Sequence, residues 1–291
     1  MKDRLRVKRG VAPSFDSDDG SLPVDIHAPG SALAQFLRAR RSVVQPADVG
    51  LPAGGRRRVA GLRREEVAIL AGISTDYYLR LEQGREDNPS DQVLDAIGRA
   101  LLLDEQAVRY MRNLLRHQVR SIEPLEELHP GIDGLINGWP LTVAHVVDPG
   151  LTVVAANQLA LAFSPHYMVG ANTMRALFLA PEMREFHRNW KKLTRWAVPL
   201  VRALFGQRPD PALVRLVDEL REHSPWFRQL WARHDVKQEA AGIMLVKHPL
   251  VGPMDLNYQQ MTLPSTGHAL ITYWAEPGSA SEARLRRLAN G

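Results

Sequence analysis

Cysteine is missing altogether from the 291 residues. Its absence excludes disulfide scaffolds, thiolate zinc sites, thiol nucleophiles and cysteine-held iron–sulfur clusters, and it fits a reducing compartment. Long apolar runs are missing too: nothing approaches the roughly 18 consecutive apolar residues of a membrane span. The opening MKDRLRVKRG is charged and leads into no apolar segment, so it does not read as a secretory signal. The ten His form no HExxH or other close metal spacing, and no Walker loop, GxSxG elbow or GxGxxG fingerprint occurs. No catalytic residue, metal site or cofactor is therefore expected, and the expected location is the cytoplasm.

What is present is an ordinary hydrophobic content of 45%, enough for a sizeable core. At about 100–200 residues per domain, the length favours two domains. Charge is unevenly spread. The net charge of +5 is only mildly basic, but residues 31–80 hold nine Arg against four acids. Residues 121–291 are almost balanced, with 17 basic and 16 acidic side chains. Residues 1–30 are polar, rich in turn formers and without apolar period, and read as a disordered leader. A second boundary lies near residue 120, where short helical patterns give way to Pro and Gly punctuation and strand-like runs. The expected division is a leader (1–30), an all-α domain (31–120) and a second domain (121–291).

In the first domain, Ser31 can cap a helix whose apolar positions Leu33, Phe36 and Leu37 fall at helical spacing. A Pro- and Gly-rich loop follows, containing Arg56, Arg57 and Arg58. Next comes LRREEVAILAGISTDYYLRLEQG, the most informative stretch. Val67, Leu70 and Ala71 form an apolar face, and Gly72 supplies the positive φ needed to end that helix and turn sharply. Ser74 is placed to cap the next helix, with Asp76 in its first turn. Tyr78 and Leu81 point back to the core, and Gly84 ends the helix. Two short helices around an apolar–Gly–Ile–Ser turn are the signature of a helix-turn-helix. Ser90 and Asp104 start a fourth and a fifth helix, so five short helices are expected.

The geometry of such a motif places the start of its second helix in the major groove. Ser74, Thr75, Asp76 and Tyr77, with Arg80 one turn on, are the side chains that reach base edges. Thr75 can offer a hydroxyl to a base or a methyl to thymine. Tyr77 can meet a phosphate or serve as half-buried packing, and Arg80 can read phosphate or guanine or form a surface ion pair. Arg56, Arg57 and Arg58 can grip the backbone or enter the minor groove; a solvated loop tip is the other reading.

REEVAILAGISTDYYLRLEQG resembles the lambda-repressor-like (XRE) helix-turn-helix across roughly residues 31–105. GLPAGGRRRVAGLRREE before it and PSDQVLDAIGRAL after it narrow the resemblance to actinobacterial MmyB-like regulators. Where the XRE pattern begins its second helix with Gln, this chain has Arg64, which favours a phosphate or guanine contact.

In the second domain, PLTVAHVVDPGLTVVAANQLALAF reads as two strands joined at Asp148-Pro149-Gly150, followed by a helix capped by Asn157. Residues 181–205 show long amphipathic periodicity, with Pro199 expected to kink or break the helix near its end. Further helices are expected at 211–222 and 225–234, then three strands. The order suggests an α+β fold with helices covering an antiparallel sheet.

HSPWFRQLWARHDV, KHPLVGPMDLNYQQMTLP and EPGSASEARLRRL are similar to the C-terminal domain of the MmyB-like family, across roughly residues 125–288. The resemblance implies a PAS-like domain for fatty-acid-like or other small apolar ligands. Trp190, Trp196, Trp226, Phe227, Trp231, Tyr258 and Trp274 are the aromatics that could line a pocket; core filling is the competing reading for each.

The expectation is a non-enzymatic, sequence-specific transcription regulator, a homodimer on double-stranded inverted-repeat DNA, sensing a small apolar ligand. Two rivals remain at this stage. One is an interaction module that holds another transcription protein without sensing a ligand. The other is a small-molecule enzyme with an autoregulatory helix-turn-helix.

Overall fold

The computed structural model describes residues 29–52, 59, 61–86, 88–116, 127–207, 210–236, 240–263 and 266–291. The expected leader up to residue 28, the Arg56–Arg58 arm and the boundary near residue 120 lie outside the described residues.

The N-terminal domain contains α1 (Pro29–Val43), α2 (Arg64–Ala71), α3 (Thr75–Glu82), α4 (Asp91–Ala100) and α5 (Glu105–Arg116). Its core gathers Leu33, Phe36 and Leu37 of α1 with Val67, Tyr78, Leu81, Ile97 and Met111, all fully buried. Helix α1 begins at Pro29, ahead of the expected cap at Ser31. On α2 the buried face is Val67, Ala68 and Ala71; Leu70, expected inward, is exposed because the helix turns its Ala68 side to the bundle.

The second domain contains α6 (Ile132–Asn137), β1 (Thr142–Val147), β2 (Val153–Ala156), α7 (Gln158–Phe163), α8 (Thr173–Leu179), α9 (Met183–Phe186), α10 (Trp190–Gln207), α11 (Pro211–His223), α12 (Pro225–Trp231), β3 (Ala241–His248), β4 (Gly252–Thr262), β5 (Ala269–Trp274) and α13 (Ala280–Ala289). The strands form one antiparallel sheet in the order β2-β1-β5-β4-β3. Register aligns Val143, Tyr273, Tyr258 and Gly242 in one row across β1, β5, β4 and β3. His145, Ile271 and Gln260 align in the next row on the same face, because side chains two residues apart on a strand point the same way. That face packs against α7 to α10, and α6 covers part of the other with Ile136 against Ala144, Val146 and Leu270.

The single helix expected over 181–205 is two. His187 leaves α9 with extended backbone and bridges Val246 at the open edge of β3, and Arg188 N–H donates to the Leu245 carbonyl at 3.0 Å. Sheet pairing there satisfies the backbone that a continuous helix would have used internally. Pro199 does not end α10, which runs on to Gln207. Proline removes one donor, and the buried run Ala197, Val198, Leu200 and Val201 holds the helix together around it. Helix α12 stops at Trp231, three residues short of expectation, and α13 was not anticipated as a helix.

The two domains touch. Helix α10 packs against α5, where a Cβ on Gly206 would collide with the Tyr110 ring, so glycine permits the approach. Phe36 meets Tyr110 edge-on at 5.3 Å, and Arg40 pairs with Asp235 at 2.9 Å.

Candidate nucleic-acid interface and ligand chamber

The turn between α2 and α3 forms as its residues dictate. Gly72 takes φ +66°, which a side chain would strain, and its N–H and that of Ile73 return to carbonyls of α2. Ser74 Oγ accepts from the Tyr77 N–H at 3.1 Å and starts α3. With Tyr78 and Leu81 committed to the core, Ser74, Thr75, Asp76 and Arg80 are left exposed on one side of α3, and Tyr77 is half-buried. Arg80 pairs with Asp76 at 3.0 Å and lies over the Tyr77 ring at 5.5 Å. Both readings of Arg80 and Tyr77 thus have a physical basis: an exposed pair has little to lose by exchanging Asp76 for a phosphate.

Arg64 stands at the first position of α2, and Glu82 receives it. The Glu82 side chain is fully buried and accepts from Arg41 Nε at 2.5 Å and from Arg64 Nε at 2.6 Å. One carboxylate therefore ties α1, α2 and α3 together. Burial pushes the Glu82 carboxyl upward, but the hydrogen bonds from Arg41 and Arg64 outweigh it and hold the group below its ordinary value. Arg64 has its free side toward solvent, half-exposed, so a DNA contact and the clamp share one side chain. Sequence reading missed Glu82, although its signal was there: it follows Tyr78 and Leu81 at core-facing helical spacing.

In the second domain, a chamber of about 90 Å³ lies between the inner face of the sheet and α8 to α10. Leu177, Leu193, Trp196, Met244 and Ile271 make its apolar wall, and His145, Tyr167, Tyr258, Gln260 and Tyr273 its polar points. His145 stacks on Tyr167 at 4.3 Å, and the hydroxyls of Tyr167 and Tyr273 meet at 3.5 Å. Tyr258 donates to Gln260 Oε1 at 3.0 Å. Both ring nitrogens of His145, and Nδ1 of His187, have no hydrogen-bond partner among the described residues. Burial keeps both imidazoles neutral, with His145 pushed down to about 3 and His187 to about 4. Leu193, Trp196, Met244 and Tyr258 also wall an open groove of about 350 Å³ outside, which has Asn189 and Lys192 at its rim.

The aromatics singled out by sequence divide. Tyr258 and Trp196 stand between chamber and groove. Trp190, Trp226 and Phe227 pack among α8, α10, α11 and α12, where Trp190 Nε1–H donates to the Leu177 carbonyl and Trp226 Nε1–H to Thr194. Trp231 faces a different pocket, between the domains, and Trp274 is exposed on β5. Most of the large aromatics on helices fill helix–helix contacts, whereas the chamber's polar points come mainly from the sheet. His145, Tyr167 and Tyr273 went unnamed in the sequence reading, although His145 alternates with Val143 and Val147 on one face of β1.

Among the described residues no helix is long and apolar enough to cross a membrane, and no cluster of His, Asp and Glu could hold a metal ion. A helix-turn-helix domain model matches residues 32–111. The model of the MmyB-like transcription regulator ligand binding domain matches residues 128–288, more than half of the chain. No curated protein matches the chain.

Proposed function

The chain belongs to the MmyB-like transcription regulator ligand binding domain family, with a helix-turn-helix domain ahead of it, and from that premise we propose a one-component sensor. It is a DNA-binding transcription regulator with a ligand-binding domain. In our reading it is no enzyme. Thr75, Asp76 and Arg80 read base edges, while Ser74, Tyr77 and Arg64 secure the backbone, with Arg56, Arg57 and Arg58 as a further basic arm.

The ligand in this reading is a chain-like apolar acid of the fatty-acid kind, held in a PAS-like domain. The single observation that carries it is the apolar chamber with its neutral His145 and tyrosine cluster, continuous in its walls with the Lys192 groove. The chamber alone is smaller than the roughly 300–1,000 Å³ of ordinary ligand sites, and with the groove it reaches that range. An ionised carboxylate deep inside would meet no cation, since both chamber imidazoles are neutral. The acid therefore sits at Lys192, and the chain runs inward past Leu193, Trp196 and Met244. The sheet order β2-β1-β5-β4-β3, with α7 to α10 packed on one face, supports the PAS-like reading.

One helix-turn-helix reads too few base pairs to select a genomic site, so a homodimer on an inverted repeat is the working assembly, with ligand binding altering its half-site geometry. Native mass spectrometry and thermal shift with myristate test the sensor. The expected result is a bound acid and a raised midpoint, lost in Met244→Trp, because a ligand that binds only the folded state stabilises it. No shift with any medium- or long-chain fatty acid would remove this ligand class, and a strict monomer on and off DNA in analytical ultracentrifugation would remove the dimer.

A further inference from the structure

A second pocket, of about 280 Å³, opens between the two domains and shares no lining residue with the chamber. Gln35 of α1 with Tyr110 and Leu114 of α5 line it from the DNA-binding side. Phe205, Trp231 and Arg202 line it from the other. Arg202 is the unusual member. It is 2% exposed, yet no carboxylate lies within 4.0 Å of it among the described residues. Its guanidinium lies 3.8 Å from the Trp231 ring centroid and donates to the Trp231 carbonyl. One Nη also approaches His234 Nδ1 at 3.2 Å and the Tyr110 hydroxyl at 3.5 Å. All of these partners are neutral, and Nε has none.

The acid whose charge reaches Arg202 through space, Asp235, is already paired with Arg40 and Arg233, so the cost of burying this cation is best met by an anion that enters the same pocket. The surrounding charge has the same sense. Arg221 and Arg228 stand in the lining, while the carboxylate there, Asp218, already pairs with Arg221 at 3.6 Å. A planar guanidinium takes a carboxylate through two parallel hydrogen bonds, and Phe205, Leu114 and Trp231 offer flat apolar walls to the rest of the molecule.

We propose that this interdomain pocket binds a small organic carboxylate with a compact aromatic body, anchored on Arg202. Because its walls come from both domains, the occupant favours one docking of the DNA-binding domain on the sensor. The site is independent of the chamber and of any fatty acid there.

Isothermal titration of the full chain with benzoate and naphthoate, against benzyl alcohol and naphthalenemethanol, tests the proposal. The acids are expected to bind about tenfold or more tightly than the alcohols, the scale of one charge-assisted hydrogen-bonded pair. Arg202→Met should abolish that preference while keeping the myristate response of the chamber. Leu114→Trp, which fills the pocket from the other domain, should abolish acid binding with Arg202 intact, and it decides the matter should Arg202→Met not fold. Failure of both acids to bind, equal binding of acids and alcohols, or unchanged acid binding in either folded variant would overturn the proposal.

Discussion

The two domains treat their most buried charge in opposite ways. In the DNA-binding domain Glu82 is sealed in the core with two arginines on it. The Tyr78 hydroxyl and Nε of Arg40 and of Arg112 are left without a hydrogen bond there, but both guanidiniums pair with a carboxylate through another nitrogen. In the sensor domain His145, His187 and Arg202 are buried beside cavities with ring or guanidinium nitrogens left over. A paired buried charge makes a rigid platform, which a recognition helix needs. Unmatched buried polarity beside a cavity is tolerable where a ligand completes it. In the function proposed here, the difference separates a part that holds one shape from a part that responds.

The largest effect expected from this contrast is at Glu82. Glu82→Ala leaves Arg41 and Arg64 without their counter-charge and should cost about 3–5 kcal/mol, as for other broken buried pairs. All six tryptophans lie after residue 120, so denaturation followed by fluorescence reports the sensor domain and far-UV circular dichroism reports both. The helical signal should melt early while the fluorescence transition stays in place. Coincident shifts of both would mean that the clamp is not local to the DNA-binding domain.

Acidification should separate the domains in the reverse order. His145 and His187 have folded-state values of about 3 and about 4, below the ordinary 6.5. Between those values the unfolded chain binds more protons, so sensor stability is full above about 6.5 and falls as pH drops toward 3, by several kcal/mol in total. Glu82, held below its ordinary 4.5, contributes stability that is present above that value and lost only as pH falls beneath it. Fluorescence-monitored unfolding at pH 5 should therefore show a weakened sensor beside an intact clamp; a sensor midpoint flat from pH 7 to pH 4 would refute buried neutral imidazoles.

A smaller effect is expected on the exposed side of α3. Thr75→Ala with Arg80→Ala should leave the thermal midpoint unchanged and cost about 1–3 kcal/mol of discrimination per base-reading contact, measured by fluorescence anisotropy on operator and scrambled DNA. Arg64→Ala should differ by lowering both affinity and stability, because it takes part in the clamp. The smallest effect should have the opposite sign. His145→Phe keeps the stack on Tyr167 and removes two unpartnered nitrogens, so the sensor should gain about 1 kcal/mol, and chemical denaturation would show whether it does.

Much of the DNA-binding domain could be read before its structure. Gly72, Ser74, Ser90 and Asp104 act within three or four residues of themselves, through turn geometry and caps, and local signals of that kind stand openly in sequence. The sensor was legible as a class, strands then helices then three strands, but not in detail. The break at His187 depends on β3, more than fifty residues later in the chain, whose free edge takes the backbone that the helix gives up. Leu70 misled because an amphipathic pattern names a face only to within a turn, and the packed bundle selects Ala68 instead.

Residue order alone thus established the helix-turn-helix, the exposed side of its second helix and the antiparallel α+β domain behind it, because backbone propensity, capping and periodicity are properties of neighbours. Folding in three dimensions assigned the chemistry of the buried groups. Register brought His145, Ile271 and Gln260 into one row, α9 and α10 closed over them, and the meeting of α5 with α10 enclosed Arg202. Whether a charge is paired or left for a ligand depends on which distant side chains surround it, since electrostatic and desolvation energies follow distance through space and not separation along the chain.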